Sequence, residues 1–155
     1  DLGPLILPKA TDRIEAWVDE AAAEGAQVMT GAKRINKVSY EPTVLLNPAK
    51  DSKVSTQEIF GPVVCVYGYQ NIDSAIEDAN SLDVSFQAAV FSDDISLAMD
   101  VAKKLEASAV MINDYTTFRV DWMPFAGRKH SGYGIGGIGY TMKDMLEHKM
   151  LVIKA

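Results

Sequence analysis

Gln57–Tyr67, QEIFGPVVCVY, sets an acid, an aromatic ring and a Gly-Pro turn directly before an apolar run. The run has no polar alternation, so Val63 to Tyr69 reads as a strand covered on both faces. Helices and strands then alternate downstream. Asp73 is placed to cap a short helix with Ile76 and Ala79 turned inward. Gln87 to Phe91 reads as a second strand. Asp94 is placed to cap a helix whose Leu97, Ala98, Val101, Ala102 and Leu105 form one stripe, and Ala109 to Ile112 reads as a third strand. Strand, helix, strand, helix, strand at this spacing predicts right-handed crossovers and an α/β fold: a mostly parallel sheet with helices on both faces.

Upstream, Asp12-Arg-Ile-Glu15 has the cap-x-x-Glu form of a helix start. Ile14, Trp17, Val18, Ala21 and Ala22 then recur at helical spacing, and Gly25 is a natural stop. Gln27 to Met29 reads as a short strand, Gly31 to Ser39 as a polar turn region, and Asn47 to Thr56 as a loop. Tyr40 to Leu46, with Pro42 inside it, reads as an edge strand. Downstream, Asn113 to Gly139 is rich in glycine and aromatics and reads as a long loop, of the kind usually kept for function. Tyr140 to Glu147 reads as a helix. Met150 to Ile153 reads as a terminal strand with no partner nearby in sequence.

The 155 residues fit one domain, enough to bury roughly 70 % of the unfolded surface. Fifteen Lys and Arg against 21 Asp and Glu give a net charge of −6, and no basic stripe is present, which argues against nucleic acid as a partner. No apolar stretch approaches the ~20 residues of a membrane helix, so no membrane partner is expected. One cysteine permits no internal disulfide, and a cytoplasmic origin is the expectation. With one Cys and two isolated His at no ligand spacing, no metal site is expected.

Two constellations stand out chemically. Glu58 stands at the mouth of a predicted parallel strand, near where α/β folds place ligands, with Phe60 and Gly61-Pro62 behind it. A carboxylate accepts from a ribose diol while a neighbouring ring packs on the sugar; the plainer reading is a solvated acid before a turn. The second constellation is Phe118, Arg119, Trp122 and Phe125 within eight positions of loop. Aromatics suit the mouth of a site for a small organic molecule, and a guanidinium suits an anionic tail; the plainer reading is an apolar cluster under a loop with Arg119 solvated. The G-x-G-x-x-G at Gly132, Gly134 and Gly137 lacks the preceding strand and the later acid of a dinucleotide fingerprint, so it reads as a tight loop. Cys65 lies within an apolar strand, where burial keeps a thiol unreactive. Arg128 and Lys129 read as solvated loop cations, and Met142, Met145 and Met150 as core filler or interface.

The EIFGPV stretch, Glu58 to Val63, and PFAGRKHSGYG, Pro124 to Gly134, together resemble the C-terminal part of the NAD(P)-dependent aldehyde dehydrogenase family. The first matches that family's E-x-F-G-P motif and the second its P-F-G-G-x-K-x-S-G signature. The resemblance implies that Glu58 binds the nicotinamide ribose, that Phe60 packs beside it, and that Phe86 stands where the family has a Leu touching the nicotinamide. It implies that Phe118 and Phe125 line the substrate tunnel. The F-R-V-D-x-M-P wording resembles members acting on small hydroxy- or phospho-aldehydes such as lactaldehyde, which makes Arg119 an anion reader. Ala126 stands in place of a glycine, and Gly136-Gly137 in place of an Arg-Glu-type pair.

The same resemblance implies the division of labour. Residues 1–149 would be part of the catalytic domain, and residues 150–155 a terminal strand for self-association as a dimer or tetramer. The family's nucleophilic cysteine sits in an F-x-x-x-G-Q-x-C type motif that these residues lack, so no catalytic residue is assigned here. The intact enzyme would oxidise an aldehyde to an acid with NAD or NADP through a thiohemiacetal and a thioester, and the isolated chain would be inactive. Two alternatives remain at this point: a truncated module kept for assembly or binding, and an unrelated α/β ligand-binding domain.

Overall fold

Pro8 opens the first helix. Its fixed φ is already helical, and the N–H it lacks would have had no partner in the first turn. In the computed structural model, which describes residues 2–154, α1 therefore runs Pro8–Ala23, starting earlier than the Asp12 cap that the sequence predicts. Asp12 instead joins Glu15 in binding Arg34, at 2.7 and 2.6 Å. Thr11, Ile14, Val18 and Ala21 form its buried stripe, and Gly25, at φ 106°, takes the left-handed turn that ends it. Ala22, expected in the stripe, is exposed.

The chain forms two compact units, residues 1–70 and 71–155; Asp1 and Ala155, which close the predicted divisions 1–149 and 150–155, lie outside the described residues. In the first unit β1 (Gln27–Thr30), β2 (Arg34–Asn36), β3 (Ser39–Tyr40) and β4 (Thr43–Leu46) precede a one-turn helix α2 (Lys53–Thr56) and β5 (Val63–Val66). β1 pairs antiparallel and β5 parallel with β4, while β2 and β3 form a separate hairpin. β4 is thus a central strand, not the predicted edge strand. Pro42 falls just outside it, so its missing N–H removes no ladder bond. Ile14, Val18, Ala21, Ala26, Tyr40, Leu45 and Val54 make the core, with Ile59, Val63 and Cys65 packed against it. Burial, then the charge of Asp19, pushes the Tyr40 hydroxyl up to about 12.

In the second unit α3 (Ile72–Ala79), β6 (Val84–Ser85), β7 (Gln87–Val90), α4 (Ile95–Lys104), β8 (Ala109–Ile112), β9 (Arg128–Lys129) and α5 (Ile138–Asp144) come in that order. β7 and β8 pair in parallel from Gln87↔Ala109 to Val90↔Ile112, with α4 as the crossover. Asp94 Oδ1 accepts from Ser96 N and Leu97 N, as predicted. The cap of α3 is Asn71, not Asp73: its Oδ1 accepts from Asp73 N at 2.7 Å. Asn71 stands outside the helix with an extended backbone, the geometry a cap needs. Ile76 is buried as expected, whereas Ala79 is exposed.

The class is α/β with parallel pairing, as the sequence reading has it. The predicted three-strand run is divided, however: β5 pairs with β4, and β7 with β8. Met150 to Ile153 forms no strand among the described residues, and its four side chains are strongly exposed. No helix among the described residues is long and apolar enough to cross a membrane.

Candidate functional site

The turn between α2 and β5 carries Glu58 and Phe60. Ile59, between them, packs inward against the core, so the two flanking side chains are turned out, and both are exposed. Phe60 sits at φ 50°, in the left-handed region. For a non-glycine residue this conformation costs about 1–3 kcal/mol and persists only where the surroundings impose it. The surroundings are identifiable. Arg13 Nη2 donates to Ile59 O at 2.7 Å, and its guanidinium lies 4.6 Å over the Trp17 ring. Gly61 sits so close to α1 that a Cβ there would be 2.2 Å from Ile14 Cδ1. The turn then enters β5, with Thr43 N donating to Pro62 O at 2.8 Å. It meets the sheet at the amino end of β5, whereas α/β ligand sites lie beyond carboxyl ends. The expectation from strand direction is corrected here; the held-out acid and ring carry the case for a site.

The second unit has its own cleft, of about 330 Å³, lined by Ala109 to Ile112 of β8 and by Asp114, Phe118 and Met123. It opens where the chain leaves the carboxyl end of β8, the usual edge for a ligand in parallel sheets. Asn113, at φ 57°, turns the chain there; its side chain accepts from Ser92 N and donates to Ser92 O, which ties this turn to the end of β7. Phe118 is on the cleft wall. Phe125 belongs to a stack: its ring meets Phe86 edge-on at 4.9 Å and carries the Arg119 guanidinium 4.4 Å above its centroid. Arg119 makes no hydrogen bond or ion pair among the described residues, so its fork of N–H donors is open. The structure thus joins Phe86, Arg119 and Phe125, and leaves Trp122 projecting into solvent.

The remaining sequence candidates resolve plainly. Gly134 and Gly137 both adopt positive φ, but the strand before them, β9, is two residues long and antiparallel to β6. The dinucleotide fingerprint's strand–turn–helix context is missing. Burial pushes the Cys65 thiol above its ordinary value, opposed by a hydrogen bond with Tyr67, which keeps it in the inert thiol form. Lys129 is not a solvated cation: its Nζ donates to Asn80 O at 2.6 Å and Leu82 O at 2.8 Å and pairs with Glu106 at 2.5 Å. Sequence reasoning missed Arg13 and Lys129 because their partners are mostly backbone carbonyls distant in the chain, for which sequence carries no signal.

An α/β chain with an outward-held acid and ring in one unit, and in the other a cleft walled by Phe118 and an Arg119 guanidinium stacked on Phe125, is of the kind that binds a small organic ligand. Comparison with known proteins sharpens this. The Aldehyde dehydrogenase family matches residues 1–151. The chain is 40% identical over 153 residues to 3-sulfolactaldehyde dehydrogenase of Priestia megaterium, and 42% identical over 153 residues to lactaldehyde dehydrogenase of Methanococcus maripaludis. Each alignment covers 99% of this chain and 32% of the relative, so the chain spans about a third of their length. Among solved structures, aldehyde dehydrogenase 21 from Physcomitrella patens, in complex with the reaction product succinate, superimposes with a TM-score of 0.92 at 37% identity, covering 99% of this chain and 32% of that one. Glyceraldehyde-3-phosphate dehydrogenase from Methanocaldococcus jannaschii, complexed with NADP, gives 0.86 at 36% identity, covering 94% and 31%. The chain belongs to the aldehyde dehydrogenase family.

Proposed function

We propose that the complete protein oxidises a small aldehyde to the carboxylic acid with NAD or NADP, and that this chain supplies the ribose clamp and part of the substrate wall. The observation that carries the reading is the turn at Glu58–Phe60: a left-handed backbone, held from behind, that presents a carboxylate and a ring to the outside. A carboxylate so placed accepts from the two ribose hydroxyls, and Phe60 packs on the apolar side of the sugar. Bound NAD or NADP would supply the acceptor for the hydride that the thiohemiacetal carbon gives up. In the second unit Phe86, with its ring set by Phe125, is by family resemblance the candidate nicotinamide contact. Phe118 excludes water from the aldehyde, and Arg119 pairs with an anionic tail, which fits the relatives named for lactaldehyde and sulfolactaldehyde.

The attacking sulfur is not Cys65, whose place in β5 suits packing. A cysteine elsewhere in the complete protein forms the thiohemiacetal and then the thioester. In the complete protein, Glu58→Gln should weaken NAD(P) binding by about 1–3 kcal/mol, since a charged acceptor is lost; calorimetry that finds equal affinity overturns the clamp. The isolated chain should yield no NADH from any aldehyde, and turnover by it that vanishes in Cys65→Ser would overturn the assignment of the sulfur.

A further inference from the structure

We infer that Arg13 is a positioning residue for nucleotide binding: it fixes the Glu58–Phe60 turn by holding the carbonyl of Ile59, the residue between the two. The inference rests on the ribose-clamp reading and extends it to a residue on a different element. Arg13 Nη2 reaches Ile59 O at 2.7 Å across 46 residues of sequence. A guanidinium donor makes this bond roughly twice as strong as a neutral one. The same guanidinium lies over the Trp17 ring, one turn further along α1, at 4.6 Å. The indole face limits where the planar fork can point. Arg13 is half-buried, so the bond is shielded from the solvent that weakens exposed contacts.

Two further contacts show that α1 acts as the backing of the turn. The Ile59 side chain packs on the core to which Ile14 and Val18 belong, and Gly61 approaches Ile14 too closely for any Cβ. Ile59 is therefore pinned by both its side chain and its carbonyl. With that residue pinned, Phe60 is driven to φ 50°, and Glu58 and Phe60 have one direction in which to project. Releasing the carbonyl lets Phe60 relax toward negative φ, which rotates the peptide planes that aim both side chains. The acid and the ring remain present but lose their common aim, so affinity for nucleotide falls while the substrate wall in the second unit is untouched.

The test uses the complete protein that contains this chain. Arg13→Met keeps the stem on Trp17 and removes the donors; Arg13→Lys keeps a donor and loses the planar fork. Arg13→Met should raise Kd and KM for NAD(P) about tenfold. The aldehyde KM, and kcat at saturating nucleotide, should change less than about twofold. Arg13→Lys should recover part of the loss. On a Glu58→Gln background Arg13→Met should add little, because the group it aims is already gone. If Glu58→Gln weakens NAD(P) binding and Arg13→Met does not, the inference is overturned while the clamp stands. If Glu58→Gln itself has no effect, the clamp reading has failed instead. A uniform fall in activity and melting temperature, with no nucleotide-specific change, assigns Arg13 to folding alone and overturns the inference.

Discussion

Phe86 and Phe125 meet edge to face, with ring centroids 4.9 Å apart and planes at 75°. Nearly forty positions separate them in sequence; Phe86 is the single residue between β6 and β7, and Phe125 lies in the loop before β9. The contact joins the segment before β7 to the glycine-rich loop, where Phe125 is also bridged to Gly136. Edge-to-face pairs contribute about 0.5–1.5 kcal/mol beyond area burial. A double-mutant cycle of Phe86→Ala and Phe125→Ala, read by denaturant unfolding, should return a coupling energy in that range. Additive losses would show that the two rings do not support each other.

Arg119 lies on the other side of this relationship, 4.4 Å over the Phe125 ring. A guanidinium over a ring with its N–H donors unpaired can take a carboxylate, sulfonate or phosphate bidentately, which a lysine ammonium cannot match. In the complete protein, Arg119→Ala should lower kcat/KM for an anionic aldehyde by about 1.5–3 kcal/mol, the range of a hydrogen bond to a charged group. A neutral aldehyde of similar size should be little affected. Equal losses on both would remove the anion-reading role.

Gly61 is forced by proximity. Its backbone runs against Ile14, which is 0 % exposed, and a methyl group would stand 2.2 Å from Ile14 Cδ1. Overpacking of this kind costs about 1–3 kcal/mol. Gly61→Ala should lower the melting temperature accordingly, and Ile14→Val, which deletes the clashing carbon, should recover part of the loss in the double variant. A Gly61→Ala protein as stable as the parent would mean that α1 gives way freely and does not brace the turn.

The elements that were legible in the sequence are those fixed by local chemistry. The Asp94 cap and the Gly25 stop depend on neighbours within a turn or two, and the structure has them as read; of the predicted α4 stripe Ala98 and Val101 are buried, Ala102 and Leu105 half-buried, and Leu97 is exposed. Errors arose where two local signals competed: Pro8 against Asp12 for the start of α1, and Asn71 against Asp73 for the cap of α3. Strand partners were the larger gap. Nothing in VVCV says that it pairs with TVLL, because register is settled between segments far apart in the chain. At the candidate site, Glu58 and Phe60 were visible as an acid and a ring. Their support was not, since Arg13 binds a carbonyl that every residue type carries.

Glu106 gives one pH-dependent contact. The hydrogen bond and charge of Lys129 hold its carboxyl below the ordinary 4.5, and Lys129 in turn ties β9 to the carbonyls of Asn80 and Leu82. A folded-state value below the unfolded one means stability that is present above the unfolded value and lost as pH falls through the folded one. Thermal unfolding should show the parent more stable than Glu106→Gln at neutral pH, with the gap closing below pH 4.5. The pair is partly exposed, so added salt should narrow the neutral-pH gap as well. A gap that widens in acid would reverse the sign and remove the pair from the account.

Met150 to Ile153 leaves four large apolar side chains exposed in a row, at 86%, 79%, 80% and 81%. Period-2 strand pairing buries one face of such a segment and satisfies its backbone groups, and within the described residues no strand is paired with it. The unpaired apolar row motivates the hypothesis that this segment pairs between subunits. Truncation after Lys149 in the complete protein should reduce the assembly by at least one step, from tetramer toward dimer or from dimer toward monomer. Light scattering reads the mass directly. Melting temperature at high dilution serves as a second measure, because an interface that binds only the folded state makes stability depend on concentration. An unchanged mass after truncation, with the same concentration dependence as the parent, would leave the exposed row without that role.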